Sequence, residues 1–313
     1  MPLMSEYALT PAVFDSMHYS SDEIIESNFA LLKEALFNEG IVRNLYGGEW
    51  REQFSDPGRS WHQRGKELLK KLIKQNRLRP QAPSHNSAPV TDHEWCEEAL
   101  RTHESLPLGG IITTPETAAL YSRTHPLVTN ISKLSSSLWW SKRGSSARLC
   151  RNTADYLEHL RLVLECSNSL MFIDRNLDPT RMSYREFIKL LEPLRNREVP
   201  PLVEIHRTIY ANENGRRVTY GIDEWRRRFC ESLSGLVAGV DLKIEVFIWD
   251  EMHDRYLISD IFGILAPNGF DISRNPAELT TWTCVSRSDR DDITREYDPA
   301  CHRHHLYGRF LIA

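Results

Sequence analysis

The chain has 313 residues, 41% hydrophobic and 26% charged, with a formal net charge of −4, which is length enough for one large domain or two ordinary ones. That charge argues against non-specific binding of a polyanion by the whole surface, so any nucleic-acid contact requires a local basic patch. No stretch approaches the roughly 18 apolar residues that span a bilayer, and MPLMSEYALT lacks the basic and apolar regions of a secretory signal. A cytoplasmic chain without a membrane span is therefore expected.

In chain order, residues 22–39 carry apolar side chains at helical spacing behind acidic residues, and Gly40 follows as a helix stop. A second helix is expected over 60–76, with Leu68, Leu69, Leu72 and Ile73 as its stripe. Residues 79–91 hold three prolines and read as an exposed loop. GGIITT at 109–114 reads as a short buried strand, followed by a helix from Pro115. Residues 1–145 are thus expected to form a mainly helical region, with a junction in SSSLWWSKRGSS at 135–146.

Beyond the junction the pattern changes. Helices are expected over 153–165, 183–194 and 223–237, and strands over 169–174, 201–210, 242–249 and 255–260, with a final strand in HHLYGRFLIA. This alternation predicts an α/β domain over 146–313, a sheet with a mainly parallel core and flanking helices.

The six cysteines, Cys96, Cys150, Cys166, Cys230, Cys284 and Cys301, include no C-x-x-C pair and predict no disulfide framework. Cys301, His302, His304 and His305 are too close together to build a tetrahedral zinc site alone, and no metal or cofactor is expected. P-loop, dinucleotide-binding and G-x-S-x-G signatures are absent from the sequence.

Within DEMHDRYLISDIFGILAPNGFDI, residues His253, Arg255 and Asp260 stand at the spacing H-x-R-x4-D. On a strand, residues i and i+2 share a face, so His253 and Arg255 can meet one pocket. The string resembles the H-x-K-x4-D signature of the phospholipase D superfamily. With Gly263 and Asn268-Gly269-Phe270-Asp271 it is more similar to the phospholipase D-like C-terminal domain of the microtubule-interacting-and-trafficking proteins, and to free-standing bacterial proteins with an H-D-R-[FY]-[LI] segment.

The resemblance implies a phospholipase D-like mixed sheet and a metal-independent phosphodiesterase. His253 would be the nucleophile, Arg255 the phosphate-binding cation and Asp260 the group that orients the imidazole. Such an enzyme would be a nuclease of a bacterial nucleic-acid or defence pathway. Because only one motif occurs, it would work as a homodimer.

Arginine in place of lysine and the absence of G-S-x-x-N depart from the superfamily pattern. The eukaryotic domain with the same string binds phosphoinositides. The alternatives are a non-catalytic phosphate-binding module, for nucleic acid or a lipid headgroup, and a scaffold subunit of a larger complex docking through residues 1–145.

Glu204, His206, Arg207 and Asn268 are further candidates for substrate binding, Glu204 and His206 sharing one strand face. They can equally be a buried polar pair. Asp174 ends a strand, where it faces a pocket or caps the following loop. Two basic stretches suit phosphates or a solvated face: Lys66, Lys70, Lys74 and Arg77, and Lys142, Arg143, Arg148 and Arg151 after Trp139 and Trp140.

Overall fold

The computed structural model describes residues 2–19, 21–213 and 215–313, which form two compact units, Leu3–Arg143 and Gly144–Ala313. In the first unit the strands are β1 (Ser5–Leu9), β2 (Gly40–Asn44), β3 (Leu78–Pro80), β4 (Gly110–Thr113) and β5 (Val128–Asn130). The helices are α1 (Asp22–Asn38), α2 (Glu49–Glu52), α3 (Gln63–Lys74), α4 (Asp92–Ser105), α5 (Pro115–Tyr121) and α6 (Leu138–Ser141). The sheet order is β3-β2-β1-β4-β5, and every pair is parallel.

Helix outweighs strand in this unit, as expected, but the helices accompany a five-stranded parallel sheet of which the sequence reading anticipates only β4. Four of the five strands escape the sequence reading for a physical reason. They are only three to five residues long, and β1 and β2 are buried throughout, so no alternation marks them. Charged residues interrupt them as well. Glu6 on β1 is fully buried and accepts from Arg43 Nε and Nη2, both at 2.9 Å, while Arg79 Nη1 adds a third bond at 3.0 Å. A buried charge with three charge-assisted bonds is tolerated inside a sheet, although its sequence reads as surface.

The second unit is α/β with a large mixed sheet flanked by helices. Its strands are β6 (Ser146–Cys150), β7 (Ser169–Asp174), β8 (Leu202–Thr208), β11 (Ile244–Trp249), β12 (Arg255–Ser259), β13 (Gly263–Leu265), β14 (Leu279–Cys284) and β15 (Leu306–Ile312). A separate hairpin holds β9 (Tyr210–Glu213) and β10 (Arg216–Thr219). The eight-stranded order is β15-β11-β8-β7-β12-β13-β14-β6. Strands β7, β8 and β11 are mutually parallel and the remaining pairs antiparallel.

Helices α7 (Thr153–Cys166), α8 (Phe187–Leu191) and α9 (Ile222–Val237) cover one face, where Phe172 of β7 meets Phe187 edge-on at 5.2 Å. Helix α10 (Arg287–Glu296) packs on β12 on the opposite face. There Met171, Ile173, Phe247, Trp249, Met252, Ile258 and Tyr297 form a second apolar cluster. The helix expected over 183–194 contracts to α8, because its first residues are drawn into turns around Tyr184. Strands β6, β13 and β14, the β9–β10 hairpin and α10 had no sequence signal that separated them from loops.

Candidate functional site

Two open pockets lie at opposite ends of the large sheet, and the sequence motif is divided between them. At the C-terminal ends of β7 and β8 is a cleft of about 290 Å³. Its lining includes Arg175, Asn176, Thr208, Tyr210, Arg217 and His253. This is the edge at which α/β sheets bind ligands, because strand ends there release loops free to carry function.

His253 is exposed, with Nδ1 3.3 Å from Arg175 Nη1. Arg175 has no carboxylate partner among the described residues. Arg217 lies across the Tyr210 ring at 3.3 Å and pairs with the exposed Glu251 at 3.3 Å. Such an exposed pair contributes at most about 1 kcal/mol, so an anion displaces Glu251 at little cost.

Arg255 does not line the cleft. As the first residue of β12 it stands opposite Asp174 in register, with Nε 3.4 Å from Asp174 Oδ1 and Nη1 donating to the Pro267 carbonyl at 2.7 Å. Asp174 is fully buried. It accepts from Tyr184 Oη at 2.9 Å, Asn176 N at 3.0 Å and Phe270 N at 3.2 Å. Burial raises its pKa above the usual carboxylate value, and these donors together with Arg255 pull it back.

Gly269 explains the N-G-F-D string. Its φ is +70°, and a Cβ there would fall 1.9 Å from Asp174 Oδ2. Only glycine allows the loop to close on the buried carboxylate. Asn268 is tied down by Thr280 Oγ1, which donates to its Oδ1 at 2.9 Å.

Asp260 is at the other end of β12. Four residue steps at about 3.3 Å each put Ser259 roughly 13 Å beyond Arg255, and Asp260 follows it, accepting from Asn168 N at 2.9 Å and Asn168 Nδ2 at 3.2 Å. Strand fills the interval between His253 and Asp260, so the carboxylate expected to orient the imidazole does not reach it. Of the other acids near His253, Asp250 is engaged by His305 Nδ1 at 2.6 Å, and Glu251 on the same cleft pairs with Arg217.

The remaining candidates are internal. His206 is buried and stacked parallel to Phe247, with centroids 4.6 Å apart. Trp249 Nε1 donates to its Nδ1 at 3.1 Å, and its Nε2 faces Glu204 Oε2 at 3.2 Å. The indole fixes the tautomer, so Nε2–H donates to Glu204. Burial lowers the His206 pKa. On the opposite face Arg207 is wholly buried against Trp225, 3.3 Å from the ring centroid. It donates to the carbonyls of Thr208, Leu177 and Tyr210, and burial pulls its pKa down to about 9. Buried, with a bond at each of its three nitrogens, Arg207 is tied into the fold and does not line the cleft.

In the two basic stretches Lys66, Lys70, Lys74, Lys142 and Arg148 are exposed, as on a solvated face, and the other members are tied into the fold. Arg77 is buried and donates to the carbonyls of Gly40 and Phe37 at 2.8 Å. Trp139 and Trp140 are buried in the first unit's core, so they offer no stacking platform. Arg143 pairs with Glu39 at 2.6 Å, and Arg151 with Asp271 at 2.6 Å and with Glu278.

Unpaired cations gather elsewhere, in a groove of about 410 Å³ lined by Arg181, Met182, Ser183, Arg185, Ile272, Ser273 and Arg274. None of these arginines has a carboxylate partner among the described residues. The sequence reading missed Arg175, Arg217 and this groove. Arg175 had a usable signal, following Asp174 at the end of a parallel strand, whereas the groove joins segments about ninety residues apart. Among the described residues no group of three or more His, Cys, Asp or Glu is arranged to hold a metal, and no helix is long and apolar enough to cross a membrane.

No family model and no curated protein matches the chain. Among solved structures it is similar to Nuc from Salmonella typhimurium, a phospholipase D family member. That match has 10% identity and a TM-score of 0.32, over 52% of this chain and 95% of that one. It is similar also to TrmBL2, an archaeal chromatin protein, at 11% identity and a TM-score of 0.30, over 77% of this chain and 81% of that one. A third is the polyphosphate kinase from Porphyromonas gingivalis, at 11% identity and a TM-score of 0.28, over 93% and 44%. All three likenesses are distant.

Proposed function

We propose that residues 144–313 are a phospholipase D-like module that binds the phosphodiester backbone of a nucleic acid without cleaving it, using Arg175, Arg217 and His253. The observation that carries this reading is the contact between Arg175 Nη1 and His253 Nδ1 at 3.3 Å. A guanidinium only donates, so Nδ1 accepts and the proton of a neutral ring sits on Nε2. That tautomer offers an N–H to an oxyanion and has no lone pair on Nε2 with which to attack phosphorus. An attacking Nε2 needs its lone pair free and an acceptor, such as a carboxylate, holding Nδ1–H, whereas Asp250, Glu251 and Asp260 are engaged by His305, Arg217 and Asn168. The acid-free Arg181, Arg185 and Arg274 groove supports a polymeric anion as the ligand.

Fluorescence anisotropy with a labelled single-stranded oligonucleotide tests this. Arg175→Ala weakens binding at least about tenfold, the scale of one charge-assisted phosphate contact. Replacing Arg181, Arg185 and Arg274 together by alanine flattens the log K against log[salt] slope by about 2. An affinity that Arg175→Ala leaves intact would sink the proposal.

The second reading is the metal-independent phosphodiesterase, a nuclease of a bacterial nucleic-acid or defence pathway acting as a homodimer. It is favoured by the exposure of His253 on the cleft wall. Its signature is oligonucleotide hydrolysis that persists in EDTA and disappears in His253→Ala. The first reading expects no turnover from either protein.

A further inference from the structure

The second pocket, about 360 Å³, lies under α10 at the opposite end of the sheet from His253, beside the first residues of β7 and β8. Its polar lining includes Ser169, Glu204, Asp260, Arg290, Asp291 and Thr294. Arg290 is the unusual member. It is 8% exposed, and its guanidinium makes no hydrogen bond or ion pair among the described residues. Burial lowers its pKa from the ordinary arginine value. Its nitrogens keep contact with the water of the cavity, and an anion entering there would replace that water with a charge-assisted bond.

The pocket is not a simple anion hole, because three carboxylates share it with one cation. Asp260 already accepts from Asn168 and Ser169. Glu204 accepts a single bond, from His206 Nε2, and Asp291 is exposed beside Arg290 on α10. None of the three forms an ion pair with Arg290, although Asp291 and Asp260 favour its charge from nearby, so the cavity presents a cation and carboxylates that are not paired with one another. A free phosphate entering it would be repelled by the acids, and a simple amine by the arginine. A ligand with both charges satisfies both. The volume restricts it to a small molecule.

The geometry points to a second ligand site, for a small zwitterion whose carboxylate or phosphate pairs with Arg290 and whose ammonium pairs with Glu204 and Asp291. The site is independent of the phosphodiester cleft, and its test does not pass through Arg175 or His253. The shared chemistry is an anion and an ammonium a few bonds apart, met both in free amino acids and in phosphoethanolamine-type headgroups.

Thermal unfolding of the full chain against four probes decides the matter: a panel of L-amino acids, O-phosphoethanolamine, inorganic phosphate and ethanolamine. At least one zwitterion raises the Tm saturably at concentrations where phosphate and ethanolamine do nothing, and whether amino acids or O-phosphoethanolamine act identifies the source. Arg290→Met abolishes that shift and raises the Tm of the ligand-free protein, because it removes a poorly solvated charge that no hydrogen bond or ion pair of the described residues engages. Glu204→Gln weakens zwitterion binding about tenfold while the fold is kept. The proposal fails if no zwitterion acts, if phosphate alone acts as well, or if Arg290→Met keeps the response. It fails equally if Arg290→Met lowers the ligand-free Tm or does not fold, since Arg290 would then hold the structure together.

Discussion

The large sheet has two ends, and buried charge is handled differently at each. At the C-terminal edge Asp174 has three hydrogen-bond donors and a nearby guanidinium, and Arg207 has three carbonyls and an indole face. At the opposite end Arg290, 8% exposed, opens on a pocket and has no such partners. Burial alone therefore does not mark a functional residue. A satisfied charge is framework, here the frame that holds the His253 cleft open, and an unsatisfied one facing a cavity is poised for a ligand.

The contrast breaks most readily at Gly269. Alanine there forces a Cβ to 1.9 Å from Asp174 Oδ2 at φ +70°, so the loop must lift off the carboxylate and leave it buried with fewer donors. Gly269→Ala is expected to cost about 4 kcal/mol, combining backbone strain with overpacking, measured by urea unfolding. A loss under about 1 kcal/mol would mean that the loop rests on Asp174 without depending on it. The next effect is Arg207→Met, at about 3 kcal/mol, since three carbonyls lose their donor and methionine replaces only the packing on Trp225. The same substitution at Arg290 is expected to have the opposite sign, which makes the two variants a direct test of the comparison.

Much of the second unit was legible because its strands obey simple rules. SLMFID, PLVEIHRTIY and LKIEVFIW fall on β7, β8 and β11, since apolar strands between helical patterns admit few alternatives. The first unit was less so, because β1 and β2 carry Glu6 and Arg43, whose charges are matched by residues distant in sequence. At the site, His253 was legible as the residue that reaches the cleft. Arg255 and Asp260 were read as its partners because the motif fixes spacing along the chain. Where β12 begins and ends decides instead which pocket each residue meets. The unpaired state of Arg175 and Arg290 was invisible, since an absent partner is a property of three-dimensional packing.

The smallest effect, and the one that sharpens the comparison most finely, concerns His206, which sits between the two ends. Burial lowers its pKa, while Glu204 opposes the shift. The folded state therefore binds this proton less readily than the unfolded chain, whose histidines titrate near about 6.5. Above that pH both states leave the ring neutral and His206 has no effect on the pH dependence. As pH falls through about 6.5 the unfolded chain takes up a proton that the folded state refuses, so stability declines until the lower folded pKa is reached. Urea unfolding at pH 7.5 and pH 5.5 should show wild type losing about 1 kcal/mol more than His206→Gln, the difference cancelling the titration of every other group. Should the variant lose as much as wild type, the stacked imidazole would be taking up its proton in the folded state, with Glu204 as its counter-ion. The carboxylates of the Arg290 pocket would then be partly neutralised by His206, and zwitterion binding would weaken as pH falls through the same range.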